Sequence, residues 1–270
     1  MTSWNRVGSR TVLAWVGLAT SAVLGITAAR LTAAEPPAAP KVSTFAPAKA
    51  LETQVAAYLT RIDEAVANAE AYDEKKEGLV KDANTLVVVA LALGLHDEDN
   101  EYKKAAPALM KAASQLADSK DLAAAKTAAE AVKKAAETKD GDVSSLKWSK
   151  TAALPALMQQ VPRINNPLKL NMKGTRFKSK AKQSAVDVAV LAVIAQAAVY
   201  DTSEVKKAGD KPGDEEKWFK FCADMRDATV ELGKVVKAGK ADAAEQALGR
   251  LMQSCDDCHA VFKPEQKGKE

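Results

Sequence analysis

Leu51, Val55, Tyr58, Ile62, Val66 and Ala69 recur at steps of three and four, the spacing that lays apolar side chains along one stripe of an α-helix. Three more helical segments follow. "NTLVVVALALGL" (84–95) is apolar nearly all round, as a helix buried in a bundle can be. Tyr102, Ala106, Leu109, Ala113 and Leu116 form a third stripe, and Leu122, Ala125, Ala129, Val132 and Ala136 a fourth. "ETKDGDVSS" (137–145) then breaks the pattern with charge, Gly and Ser.

The plan is written a second time. A shift of 102 lays "TRID" (60–63) on "PRIN" (162–165) and "ANTLVVVALAL" (83–93) on "AVDVAVLAVIA" (185–195). A shift of 116 turns the third stripe into Trp218, Cys222, Met225, Thr229 and Leu232. A shift of 119 turns the fourth into Ala241, Ala244, Leu248, Leu251 and Cys255. "DTSEVKKAGDKPGDEE" (201–216) absorbs most of the growing offset and reads as a loop. Four helices with short connections make an antiparallel four-helix bundle. The expected architecture is therefore all-α: a first four-helix bundle over 48–140, a second bundle over 141–264 and a tail over 265–270. Pro155, Pro162 and Pro167 predict a short or kinked first helix in the second bundle, ending near Val161, because proline removes a donor and clashes with the preceding turn. "INNPLKLNMKGTRF" would follow as an irregular crossing.

The N-terminus sets the compartment. Arg6 and Arg10 precede an uncharged run, 11–29, followed by "LTAAEPPAAP". A basic start, an apolar run and a small-residue exit describe a secretory signal, and the run also approaches the length that spans a bilayer. Residues 1–34 read as a cleaved signal or a retained membrane anchor, and 35–47 as a Pro-rich linker. Either way the remainder is exported, to the periplasm. Three of the 39 cations, Arg6, Arg10 and Arg30, lie in the leader, so the rest nearly balances the 35 acids. That balance gives no footprint for nucleic acid. "KGTRFKSKAK" (173–182) reads as a solvated loop rather than a dock for an acidic partner.

Chemistry concentrates in "CDDCHAVFK" (255–263). Cys255, Cys258 and His259 continue the last stripe, with Phe262 one turn on, and positions i, i+3 and i+4 share a helix face. Cys-x-x-Cys-His reads as c-type haem attachment. A redox dithiol has no use for the following histidine, and a zinc site needs four ligands. The first repeat has Ala136, Lys139 and Asp140 at the corresponding positions, so one site is expected. Cys222 reads as a small buried hydrophobe. His96, in the polar turn "LHDEDNEY", reads as a solvated histidine.

A four-helix bundle carrying "CDDCHAVFK" in its last helix resembles the cytochrome c′ family and its low-spin relatives, over roughly 143–264. The resemblance implies one covalent haem c, with Cys255 and Cys258 as thioether attachments, His259 as proximal iron ligand and Lys263 as the basic residue near the haem edge. The first helix of such a bundle supplies the distal residue. Met158 is the candidate there, against the reading that it fills the core, and Met172 is a second. Trp218, Phe219 and Phe221 open the helix expected to flank the porphyrin. The expectation is a monohaem electron carrier serving redox partner proteins. The alternative is an open distal face that binds nitric oxide or carbon monoxide. No Ser/His/Asp set, carboxylate pair or phosphate loop stands out, so no enzyme activity is expected.

Overall fold

A computed structural model describes residues 34–263, all of them in helices and connecting turns. The leader, apart from Ala34, and the tail lie outside the described residues. The helices are α1 (Ala48–Val66), α2 (Ala69–Gly94), α3 (Ala106–Ala117), α4 (Leu122–Ala136), α5 (Leu154–Asn171), α6 (Gly174–Ala198), α7 (Ser203–Lys207), α8 (Asp214–Lys237) and α9 (Ala241–Phe262). Local chemistry starts two of them. Asn68 Oδ1 accepts the Ala71 N–H at 2.9 Å, and Asp121 Oδ1 accepts the Ala124 N–H at 2.8 Å, each satisfying a donor the first turn leaves open.

The described residues form a helical bundle with one large core and a smaller cluster at one end. In the first repeat, α1 packs on α2, α2 on α3, α3 on α4, and α4 returns along α1. In the second, α5 packs on α6, α6 on α8 and α8 on α9, but α9 does not pack along α5. Instead α5 and α6 turn toward the first repeat, where α2 meets α5 and α1 meets α6. The shift of 102 maps α1 on α5 and α2 on α6, so these are one contact made twice. The pairing is thus reciprocal between whole helices, though not residue by residue.

A charged cluster pins this interface. Asp82, buried on α2, accepts from Arg61 Nε at 2.8 Å and Nη2 at 3.1 Å, from Gln160 Nε2 at 3.0 Å and from Arg163 Nη1 at 3.4 Å. Arg61 and Arg163 are themselves related by the shift of 102. Arg163 Nη1 also donates to the Gly78 carbonyl at 3.1 Å, and a Cβ on Gly78 would lie 3.1 Å from Arg163 Nη2. A bare backbone there lets the arginine cross α2 closely. One carboxylate thus holds two guanidinium groups from different repeats, a paired arrangement that a buried charge requires.

Several local expectations change. α5 does not stop near Val161; it runs through Pro162 and Pro167 to Asn171. Both prolines are exposed, while Leu157, Val161, Ile164 and Leu168 face the core. The carbonyls they leave unpaired, on Met158 and Arg163, belong to a helix wedged between α2 and α6, so packing outweighs the proline penalty. The expected crossing is therefore the end of α5 and the start of α6. "KGTRFKSKAK" is not a loop either: it forms the first turns of α6, with its cations exposed. The insertion 201–216 contains α7 and the start of α8. Upstream, Val42, Phe45 and Ala46 of the Pro-rich segment are buried against the first repeat. His96 is buried too: Nε2 lies 3.0 Å from the Ala46 carbonyl, and Nδ1 accepts the Glu98 N–H at 3.1 Å. "NTLVVVALALGL" does lie in a buried helix, α2. Among the described residues α6 alone is long and apolar enough to cross a membrane, and most of that stretch is buried in protein.

Candidate functional site

The last two turns of α9 carry Cys255, Cys258 and His259, each half-buried, and end at buried Phe262. They face the opening turns of α8. Gly213, at φ 82°, supplies the left-handed residue that starts α8, a conformation glycine adopts without steric cost. Trp218, Phe219 and Cys222 then project inward and are buried with Phe262, Leu154 of α5, Ala198 and Val199 at the end of α6, and Val205 of α7. Cys258, Met158 and Phe221 pack against this second, smaller core.

Aromatic rings define its wall. Trp218 and Phe262 meet edge to face with centroids 5.3 Å apart, and Phe221 meets Phe262 the same way at 6.2 Å, a favoured arrangement for aromatic pairs. The Trp218 indole N–H donates to the Ala198 carbonyl at 2.9 Å, fixing the ring against α6. Lys263 follows α9 directly: its N–H donates to the His259 carbonyl at 2.9 Å, and its Nζ lies 3.4 Å from Glu204 Oε2 on α7. Burial alone would raise the Glu204 carboxyl, but the Lys207 hydrogen bond and the Lys263 charge hold it below the usual range. Lys263 thus ties the end of α9 to α7.

Burial, and secondarily the neighbouring Cys255, pushes Cys258 up to about 12. Burial likewise raises Cys222, with Cys258 as the next cause. A redox-active pair needs a thiolate stabilised near neutral pH, and burial disfavours that form at Cys258. Among the described residues no three His, Cys, Asp or Glu side chains converge as a metal cage.

A c-type haem fits the residues present. It needs two thiols and an imidazole on one helix face beside an apolar wall, with the histidine alone reaching the metal. Cys255, Cys258 and His259 supply the donors, and Trp218, Phe221 and Phe262 the wall. Of the two methionine candidates, Met158 lies against this cluster. Met172 does not: it is 1% exposed in the main core, 14 residues further along α5, or roughly 20 Å. Sequence reasoning missed the roles of Leu154, Val205 and Glu204. A five-residue helix inside a Gly- and Pro-bearing insertion gave no periodic signal for the last two.

Compared with protein-family models, with curated proteins and with solved structures, the chain matches none.

Proposed function

We propose that this chain is an exported, periplasmic monohaem c-type cytochrome that passes single electrons between redox partner proteins. The observation that carries the reading is the set Cys255, Cys258 and His259 at the end of α9, packed beside an aromatic core that also receives Met158 from α5. In this reading the two repeats are tandem bundles like that of cytochrome c′, the first haem-free.

Cys255 and Cys258 would hold haem c through two thioethers, and His259 would bind its iron. The group supplies a one-electron ferrous–ferric couple, set by its ligands and by burial. The chain's own residues do the rest. Trp218, Phe221 and Phe262 exclude water from one side. The Lys263–Glu204 pair holds the end of α9, and so His259, against α7. Met158 offers a soft thioether from the helix opposite, a ligand that raises the potential. No residue set in the site suggests bond-making chemistry on a substrate.

Mass measurement of protein matured in a host that attaches c-type haem tests the reading: one haem of added mass, lost in Cys255→Ala/Cys258→Ala, is expected. Bare polypeptide would overturn it. The Met158→Ala spectrum then separates an electron carrier from a gas binder. A shift from low-spin to high-spin supports Met158 as ligand. An unchanged high-spin spectrum with immediate carbon monoxide uptake supports an open distal face that takes carbon monoxide or nitric oxide.

A further inference from the structure

A cleft of about 380 Å³ opens where α1, α2 and α5 meet, within the size range that holds small molecules. The proposed cytochrome activity does not use it. Its floor is the cluster around Asp82, where Arg61 and Arg163 of different repeats share one buried carboxylate. Two guanidinium charges against one carboxylate leave a positive charge without a counter-ion. Asp187, the other acid that feels the Arg61 charge, does not line the cleft. Arg163 donates only through Nη1, to Asp82, Gln160 and the Gly78 carbonyl. Among the described residues its Nε and Nη2 therefore keep open donors. Arg61 lies over the Tyr58 ring, 4.7 Å from the centroid, which steadies its guanidinium.

The rim carries both signs, mostly in pairs. Glu64 faces Lys75 at 3.5 Å, and Glu77 faces Lys81 at 3.9 Å. Glu74 is exposed on the same rim and makes no ion pair among the described residues. It stands four residues before Gly78 on α2, the spacing of neighbours on one helix face. Its carboxylate and the Arg163 guanidinium are thus near one another without touching. Buried Ala65 and Leu79 add an apolar patch to the lining. A glycine inside a helix weakens it, and at Gly78 the missing side chain keeps the floor open beneath Arg163. The shift of 102 puts Lys180, Ser184 and Arg176 where the first repeat has Gly78, Asp82 and Glu74. The second repeat therefore lacks the bare backbone and both carboxylates that shape the cleft.

The lining is electrically balanced, yet it leaves one cationic place open on the floor and one anionic place open on the rim. A plain anion would satisfy the floor and meet Glu74 with like charge, and a cation would do the reverse. A short molecule bearing both charges answers both. We propose that this cleft binds a free α-amino acid, its carboxylate on Arg163 and Arg61 and its ammonium toward Glu74. A guanidinium holds a carboxylate through two parallel hydrogen bonds, and the ligand's side chain rests on Ala65 and Leu79. Asp82 positions the two arginines and does not touch the ligand. The inference is independent of the haem.

Isothermal titration calorimetry of the whole protein against the standard amino acids tests it. At least one should bind with a Kd of about 1 mM or less. Its amide, which lacks the carboxylate, and its deaminated acid, which lacks the ammonium, should each bind about tenfold more weakly or worse. Arg163→Gln should weaken the amino acid about tenfold or more. Because Arg163 also holds Asp82, Glu74→Gln supplies a variant outside that cluster. It should keep the wild-type melting curve and bind the amino acid no better than the deaminated acid. No binding of any standard amino acid at about 10 mM would overturn the proposal. So would a deaminated acid or inorganic phosphate that binds the wild type as tightly as the amino acid does, which would make the cleft a simple anion site. An affinity unchanged in both variants would overturn it too.

Discussion

At the end that carries the motif, the two repeats differ in how far their helices run. α4 stops at Ala136, the counterpart of Cys255, whereas α9 continues to Phe262. α3 begins at Ala106, the counterpart of Cys222, whereas α8 begins at Asp214. The overhanging turns of α8 and α9, with α7 between α6 and α8, build the aromatic core around the cysteines. The first repeat closes the same end differently: the chain before α1 folds over it, with Phe45 and Ala46 buried and His96 bonded to the Ala46 carbonyl. One end is capped by a preceding segment, the other by extra helix. A shared scaffold therefore does not gather these groups; the added turns do, because only they bring thiols, imidazole and rings to one end.

That contrast can be broken most directly by moving the motif. In the proposed reading, Cys255→Ala/Cys258→Ala should abolish covalent haem attachment completely. Ala136→Cys/Lys139→Cys/Asp140→His, which writes the motif into the first repeat, should gain none by mass. Positions 139 and 140 lie past the end of α4, so the three groups no longer share a helix face.

The interface offers the next largest effect. Asp82 and its counterpart Ser184 occupy related sites, yet Asp82 binds two arginines while Ser184 Oγ is buried with no hydrogen-bond partner among the described residues. Asp82→Ala should cost about 3 kcal/mol in urea unfolding, the lower end for a broken buried pair because the arginine side chains stay 38% and 40% exposed. Ser184→Ala should fall within about 0.5 kcal/mol of wild type. Equal losses would mean that the asymmetry carries no energy.

Smaller effects separate Thr85 from its counterpart Asp187. Burial holds the Asp187 carboxyl above its usual range, only partly offset by the Gln183 hydrogen bond and the Arg61 charge. A raised carboxylic pKa destabilises the fold where the carboxylate is ionised, and the penalty fades as pH falls through that raised value. Asp187→Thr should therefore stabilise the fold at pH 7 by about 1 kcal/mol or less, and by less at pH 4, read as urea-unfolding free energy. Glu204 has the opposite sign. Its lowered pKa stabilises the fold above the ordinary glutamate value of 4.5 and loses that contribution as pH falls through the folded value. Glu204→Gln should loosen the last turn of α9 by less than about 1 kcal/mol at pH 7, seen as faster amide exchange at 259–263 while α4 is unaffected. The variant's difference from wild type should vanish in acid.

The stripes of α1, α3, α4, α8 and α9 and the all-apolar run in α2 were legible because helical periodicity is a local property of side-chain order. The haem-type motif was legible for the same reason: its three groups lie within five residues. What local order misled on was α5, where proline argued for a break. Pro162 and Pro167 fall on the exposed face, and burial of Leu157, Val161, Ile164 and Leu168 holds the helix through both. His96 misled likewise, since a polar neighbourhood in sequence says nothing of the Ala46 carbonyl fifty residues away.

The sequence by itself determined the helical class, the stripes of α1, α3, α4, α8 and α9 and the clustered cysteines and histidine, because each is written in residues within a few turns of one another. Only the tertiary structure decided that α5 and α6 pack on α1 and α2, that Asp82 gathers Arg61 and Arg163, and that Met158 rather than Met172 packs against the small core that Cys258 also joins. Those outcomes depend on which faces meet across distant segments, and burial and charge pairing between them are settled only when the whole chain has folded.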